Sequence, residues 1–282
     1  MRFHQKPIMH VSQVNLKVQN IDRSLAFYTS VIGLSVLNRT ETSGQLTADG
    51  KTVLVSLEQP EGVTPKQPRT TGLYHFAILL PERSDLAAIV RHFTQIDLQF
   101  GASDHLVSEA LYFSDPDGNG IEIYRDRDPD EWTWNGEEVV MTVDPLDFDD
   151  LLENSEPKEW QGLPADTAIG HIHLHTGDLQ RSEQFYTEGL GLDIVCRYGS
   201  QASFISAGKY HHHIGINTWN GVGAPPPSPH SAGLASYSLM LPDENTRLQI
   251  IERLKAKEAP VSEADHGFTT EDPSGNRIQL LV

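Results

Sequence analysis

The feature that most restricts what this chain can fold into is an internal repeat. Displacing the 282-residue sequence by 158 positions sets Gln13 to Leu34 (QVNLKVQNIDRSLAFYTSVIGL) on His171 to Leu192 (HIHLHTGDLQRSEQFYTEGLGL), with eight of 22 positions identical. Unrelated segments would share about one or two, so the halves are copies of one plan. Two further matches extend it: GLYHFAILLP from Gly72 on GLASYSLMLP from Gly233, and DPDGNGI from Asp115 on DPSGNRI from Asp272.

Each half divides again. Val11 to Val18 and Leu73 to Leu80 read as strands leading into amphipathic helices over Asp22 to Val31, capped by Asp22, and Ser84 to Phe93, capped by Ser84. Strand-forming runs follow each helix, at Thr52 to Leu57, Leu111 to Ser114, and Gly120 to Tyr124 after a DPDGN turn. The expected fold is α+β, with four βαβββ modules over about 9–60, 72–126, 167–220 and 232–282. As domains, 1–128 is a first two-module half, 129–166 a connector and 167–282 a second two-module half.

The connector is where the charge lies. The chain carries 39 acidic against 21 basic residues, a net charge of −18 that disfavours nucleic acid as a partner. From Asp126 to Asp166 there are 14 acidic residues against Arg127 and Lys158. Such runs are most often solvated surface. Trp132, Trp134 and Trp160, with a short helix expected in DPLDFDDLLEN, nonetheless predict ordered anchors. No window approaches the ~18 apolar residues of a membrane span, and the start lacks a signal-peptide stretch. The single Cys196 agrees with a reducing, cytoplasmic setting and leaves any metal to His and carboxylates.

Four such modules, with SLAFYTSVIGL and SEQFYTEGLGL helices and a DPDGNGIEIYRD ending, resemble the vicinal oxygen chelate (glyoxalase-like) superfamily. YHFAILLP, DHLVSEALYFSDPDGNGIEIYRDR and KYHHHIGINTW are similar to the extradiol ring-cleaving (catechol 2,3-) dioxygenases. The resemblance implies that paired modules form a cupped sheet whose first and last strands aim side chains inward. Those slots hold Gln13 in module one, His75 and Glu122 in module two, His171 in module three, and Ser236 and Gln279 in module four. Good ligands among them are His75, Glu122 and His171. Two imidazoles and one carboxylate with open positions are the set that non-heme Fe(II) oxygenases use, and Mn(II) accepts the same ligands.

Pairing modules in chain order would split this triad. Pairing two with three collects it, so the inner modules are expected to form the metal-bearing cup and the outer pair a scaffold. A lone strand histidine usually just packs. Here the repeat acts as an internal control, since structural residues recur in both halves while the ligands do not. His173 and His175 share the strand face of His171.

The run YHHHIGINTW has no ionisable counterpart in module one for Tyr210 to His213. The resemblance makes His213 the acid/base, with His212 its neighbour; alternation puts His211 on the same side as His213 and leaves the register open. It also assigns substrate-oxygen hydrogen bonds to Tyr112, ten residues before Glu122, and to His105; module four keeps a histidine there, His266, but no tyrosine. The implied reaction takes a catechol and dioxygen to a muconic semialdehyde-type acid, cleaving beside the diol. A glyoxalase-like lyase or isomerase would want a second carboxylate in the slots. Retention of three ligands argues against a metal-free binding protein of the bleomycin-sequestering type.

Overall fold

The computed structural model describes residues 2–264 and 267–282, so His266 lies outside the described residues. Module one runs β1 (His10–Lys17), α1 (Ile21–Ser30), β2 (Ser35–Arg39), β3 (Ser43–Thr47) and β4 (Val55–Glu58). Module two follows as β5 (Gly72–Leu79), α2 (Arg83–Gln95), β6 (Gly101–Asp104), β7 (Ser108–Ser114) and β8 (Gly120–Asp126). The connector holds β9 (Trp134–Asn135), β10 (Glu138–Val139) and α3 (Phe148–Glu153). Module three is β11 (Ala168–His175), α4 (Leu179–Gln184) extended by a π-helical turn at Phe185–Gly189, β12 (Asp193–Tyr198), β13 (Ala202–Ser206) and β14 (Ile214–Asn217). Module four is β15 (Gly233–Met240), α5 (Glu244–Ala256), β16 (Val261–Ala264), β17 (Gly267–Glu271) and β18 (Arg277–Leu281). Among the described residues no helix is long and apolar enough to cross a membrane.

The strands form two eight-stranded sheets, ordered β12-β13-β14-β11-β5-β8-β7-β6 and β16-β17-β18-β15-β1-β4-β3-β2. Modules two and three therefore share one sheet, joined by the antiparallel pair β11–β5, and modules one and four share the other through β1–β15. This is the inner pairing that the ligand distribution requires. Alternation then sorts the side chains. Phe76, Ile78, Ile121, Ile123, Ile172 and Leu174 of the inner sheet join one apolar core with Val14, Leu16, Tyr237 and Leu239 of the outer sheet. Their sequence neighbours point to the opposite face.

Both helix caps differ from the sequence expectation. In α1 the cap is Asn20, whose side chain accepts from the Arg23 N–H; Asp22 falls in the first turn and pairs with Arg39. Helix α2 starts one residue earlier than expected, with Ser84 inside it, because Asp85 accepts the backbone N–H of the N-cap residue Glu82 at 3.1 Å.

The motifs that repeat most strongly are two ends of one contact. Tyr28 of α1 donates to Asp115 at 3.0 Å, and Asp115 closes its turn by accepting the N–H groups of Asp117 and Asn119. Tyr186 and Asp272 do the same in the second half, at 2.9 Å, with Ser274 and Asn276 in the turn. Each half is thus locked between the helix of its first module and the last turn of its second. These buried carboxylates are fully engaged, as buried polar groups must be.

The connector is tied down at several points. Trp160 stacks on His92 with ring centroids 4.8 Å apart, Lys158 pairs with the buried Asp85, and Trp132 is buried against Phe3. Asp104 and Asp144 exchange backbone hydrogen bonds of 2.8 and 3.0 Å, which covers the free edge of β6. That crossing carries Met141, Thr142 and Val143 over the exposed face of the inner sheet.

Candidate metal centre

The site is laid out by strand register. His171 in β11 lies opposite Ala77 in β5, Ala77 opposite Glu122 in β8, and Glu122 opposite Tyr112 in β7. His75, two residues from Ala77, shares its face. Ala77 is fully buried and ends at Cβ, so His171 and Glu122 can meet across it. Glu122 Oε2 stands 3.0 Å from His75 Nε2 and 3.0 Å from His171 Nε2, and the two nitrogens are 3.4 Å apart.

This donor set fits a divalent cation. Two imidazole nitrogens that face each other at 3.4 Å present like polarity whenever both hold the same tautomer, whereas a cation among the three atoms satisfies them all. Among the described residues these three form the group of His, Cys, Asp or Glu side chains that converges for a metal. Burial opposes ionisation of Glu122, yet His171 and His75 hold its carboxyl well below the usual range. Burial likewise outweighs Glu122 at His171, whose pKa drops to about 4. At neutral pH the set is one carboxylate with a neutral His171 imidazole, the protonation states that metal binding needs.

Above the triad lies a cavity of about 270 Å³ with mostly apolar walls, including Val107, Phe204, Trp219 and the connector residues Met141 and Val143. A wider cleft meets it at Tyr74, His75 and Tyr112, which line both. Tyr112 and His105 stand in the cavity as a pair. His105 Nδ1 donates to the Thr142 carbonyl at 2.6 Å, so its Nε2 is free to accept the Tyr112 hydroxyl, also at 2.6 Å. Burial, then the charge of Glu122, hold the Tyr112 pKa well above its ordinary value, so the phenol keeps its proton.

The three consecutive histidines separate. His212 lines the cavity, with its ring centroid 4.1 Å from that of His171. His211 turns to Asp126. The expectation that His213 faces the substrate is corrected: its Nε2 donates to the Phe3 carbonyl at 3.1 Å, its Nδ1 accepts from the Ala207 N–H, and it packs on His4 and Tyr210. The reason is local. His213 still pairs through its backbone with Ile172 and Ile205, but it stands just before β14, which begins at Ile214, where its ring meets the Phe3 carbonyl and the Ala207 N–H.

His173 also reaches the cavity, where Asn217 donates to its Nε2 at 3.0 Å, and His175 bonds Asn217 beside it. Sequence reasoning missed Ala77, Asp126, Phe204, Trp219 and the Thr142 carbonyl. The first was legible as the residue between two inward slots; Thr142 lies in a connector without periodicity. In the outer sheet the corresponding slots carry a neutral network. Gln13 donates to Asn15 and Ser56, Asn15 to Ser236, and Ser238 to Gln279, at 2.6–2.9 Å.

The family model for the Glyoxalase/Bleomycin resistance protein/Dioxygenase superfamily matches residues 10–123 and 168–280. The chain is 44% identical over 277 residues to the catechol-2,3-dioxygenase of Bacillus subtilis (strain 168), covering 97% of each. It is 27% identical over 119 residues to biphenyl-2,3-diol 1,2-dioxygenase 3 of Rhodococcus globerulus, which spans 40% of this chain and 62% of that relative. Glyoxalase I from Zea mays shares the fold, with a TM-score of 0.57 at 15% identity, covering 96% of this chain and 92% of that one. Matched in both halves, and over nearly its whole length by one relative, the chain belongs to the Glyoxalase/Bleomycin resistance protein/Dioxygenase superfamily.

Proposed function

We propose that the protein is an extradiol dioxygenase that opens a catechol ring beside the diol, with His75, His171 and Glu122 holding Fe(II). The observation that carries this is the two-histidine, one-carboxylate set at the base of an apolar cavity that also presents His212, Tyr112 and His105. The 44% identity to a catechol-2,3-dioxygenase supports it. Held by His75, His171 and Glu122, Fe(II) would supply open positions for a catecholate and dioxygen and a route for electrons between them.

The protein's own groups do the rest. His212 Nδ1 is occupied by His211, and its Nε2 has no partner among the described residues, so it is placed to take a proton from a substrate hydroxyl and return it as the ring opens. Tyr112, its proton committed to His105, offers oxygen lone pairs to the second hydroxyl. Phe204 and Trp219 supply apolar wall against which the ring would pack. One catechol and one dioxygen combine into one semialdehyde acid with no atom lost. The free thiol of Cys196 suits a reducing cytoplasm.

Dioxygen uptake by the ferrous protein with catechol tests this. The expected result is one dioxygen consumed per turnover, with a yellow ring-opened product. Turnover without dioxygen, as in a lyase or isomerase, or cleavage to a colourless dicarboxylic acid, would overturn it.

A further inference from the structure

His211 is fully buried and takes no part in the chemistry above, yet it is bonded at both ring nitrogens. Its Nε2 lies 2.8 Å from Asp126 Oδ1, at the end of β8, and its Nδ1 lies 2.8 Å from His212 Nδ1. Asp126 Oδ1 also accepts the Tyr210 hydroxyl at 3.1 Å, and Tyr210 in turn is 2.6 Å from the Tyr124 hydroxyl. Residues 84–86 positions apart in the chain thus build one continuous, largely buried chain of hydrogen bonds that ends at the cavity.

The protons along that chain can be placed one by one. A carboxylate only accepts, so His211 Nε2 carries the proton of its bond to Asp126. A singly protonated His211 ring with its proton on Nε2 leaves Nδ1 as an acceptor. The proton between the two rings therefore belongs to His212 Nδ1, which leaves His212 Nε2 bare. We propose that Asp126, acting through His211, is a positioning residue that locks His212 in the Nδ1–H tautomer, so that a basic nitrogen faces the substrate hydroxyl. The same two bonds fix the ring's orientation, the role a buried aspartate plays behind the histidine of a hydrolase triad. This rests on the reading of His212 as the acid/base.

The test reads the tautomer directly. In metal-free protein labelled with ¹⁵N in its histidine rings, long-range ¹H–¹⁵N correlation spectra near pH 7.5 should show His212, assigned by its loss in His212→Phe, as the Nδ1–H form. Finding it as Nε2–H in the unaltered protein overturns the proposal. Asp126→Ala should return His212 to a mixture rich in Nε2–H and lower kcat about 10–100-fold, the usual cost of losing an outer-shell partner, with KM and iron content little changed. Should Asp126→Ala fail to fold, since that carboxylate also holds Tyr210, His211→Phe removes the acceptor facing His212 and should give the same reversal. A His212 that stays Nδ1–H in whichever variant folds overturns the proposal. The spectrum needs neither metal nor catechol, so failure to cleave catechol would refute the proposed function while leaving the tautomer to be decided on its own.

Discussion

Ala77 shows how much of the site is set by one side chain that does no chemistry. It lies between His171 and Glu122 in the strand register, and any larger residue would stand where their ligand atoms converge. At the same scale the duplicated slots supply paired tests. Glu122→Ala and His171→Ala should each lose stoichiometric iron, measured by metal analysis, while Gln13→Ala keeps it, because Gln13 belongs to the neutral network of the other sheet. His212→Phe should lower kcat by ~10²–10⁴-fold, the range for a general acid/base, with iron retained. His213→Phe should instead leave kcat near wild type. It removes hydrogen bonds to Phe3 and Ala207 and strands their buried backbone groups, so its expected effect is a loss of roughly 1–3 kcal/mol in urea unfolding. Collapse of kcat in His213→Phe with wild-type turnover in His212→Phe would reverse the assignment.

Among the elements, the pairing of β5 with β8 carries the closest tolerance. Gly120 lies opposite His75 in that parallel pair, and a Cβ there would stand 2.1 Å from the Tyr74 carbonyl oxygen and 3.1 Å from His75 Cβ. The obstacle is backbone, so the strands would have to separate. Gly120→Ala is expected to cost roughly 1–3 kcal/mol and to lower iron content, measured by urea unfolding and metal analysis; unchanged values in both would refute the claim. The equivalent position of the second half is Arg277. Gly120 therefore belongs with the ligands among the residues that distinguish the inner cup from its copy. Tyr28 with Asp115, and Tyr186 with Asp272, belong to the shared frame.

For the whole molecule, burying the site against the inner sheet has a thermodynamic consequence. Burial holds His173, His212 and His213 neutral with pKa values well below the ordinary 6.5, and His171 at about 4 against the pull of Glu122. The unfolded chain protonates these rings as pH falls through about 6.5, and the folded protein does not. Stability is therefore full above that pH and is lost below it, by up to ~1.4 kcal/mol per pH unit for each such group. The melting temperature of metal-free protein should fall between pH 7.5 and 5.5. A flat or rising profile would show that these imidazoles are not held neutral.

What the sequence determined by itself was whatever repeats or alternates. The duplication divides the chain into βαβββ modules, period-two alternation names the inward slots, and the failure of His75, Glu122 and His171 to recur singles out the proposed donor set, from which the pairing of modules two and three follows. Tertiary structure alone decided which of the three consecutive histidines enters the cavity, how the acidic connector closes it, and what stands behind His212. Those directions are chosen by partners far away in the chain. Phe3 holds His213 across 210 residues, Asp126 holds His211 across 85, and Thr142 holds His105 across 37. A local pattern reports the bonds a strand makes with its neighbours; the rotation of a ring in an irregular segment depends on whichever buried donor or acceptor folding brings to it.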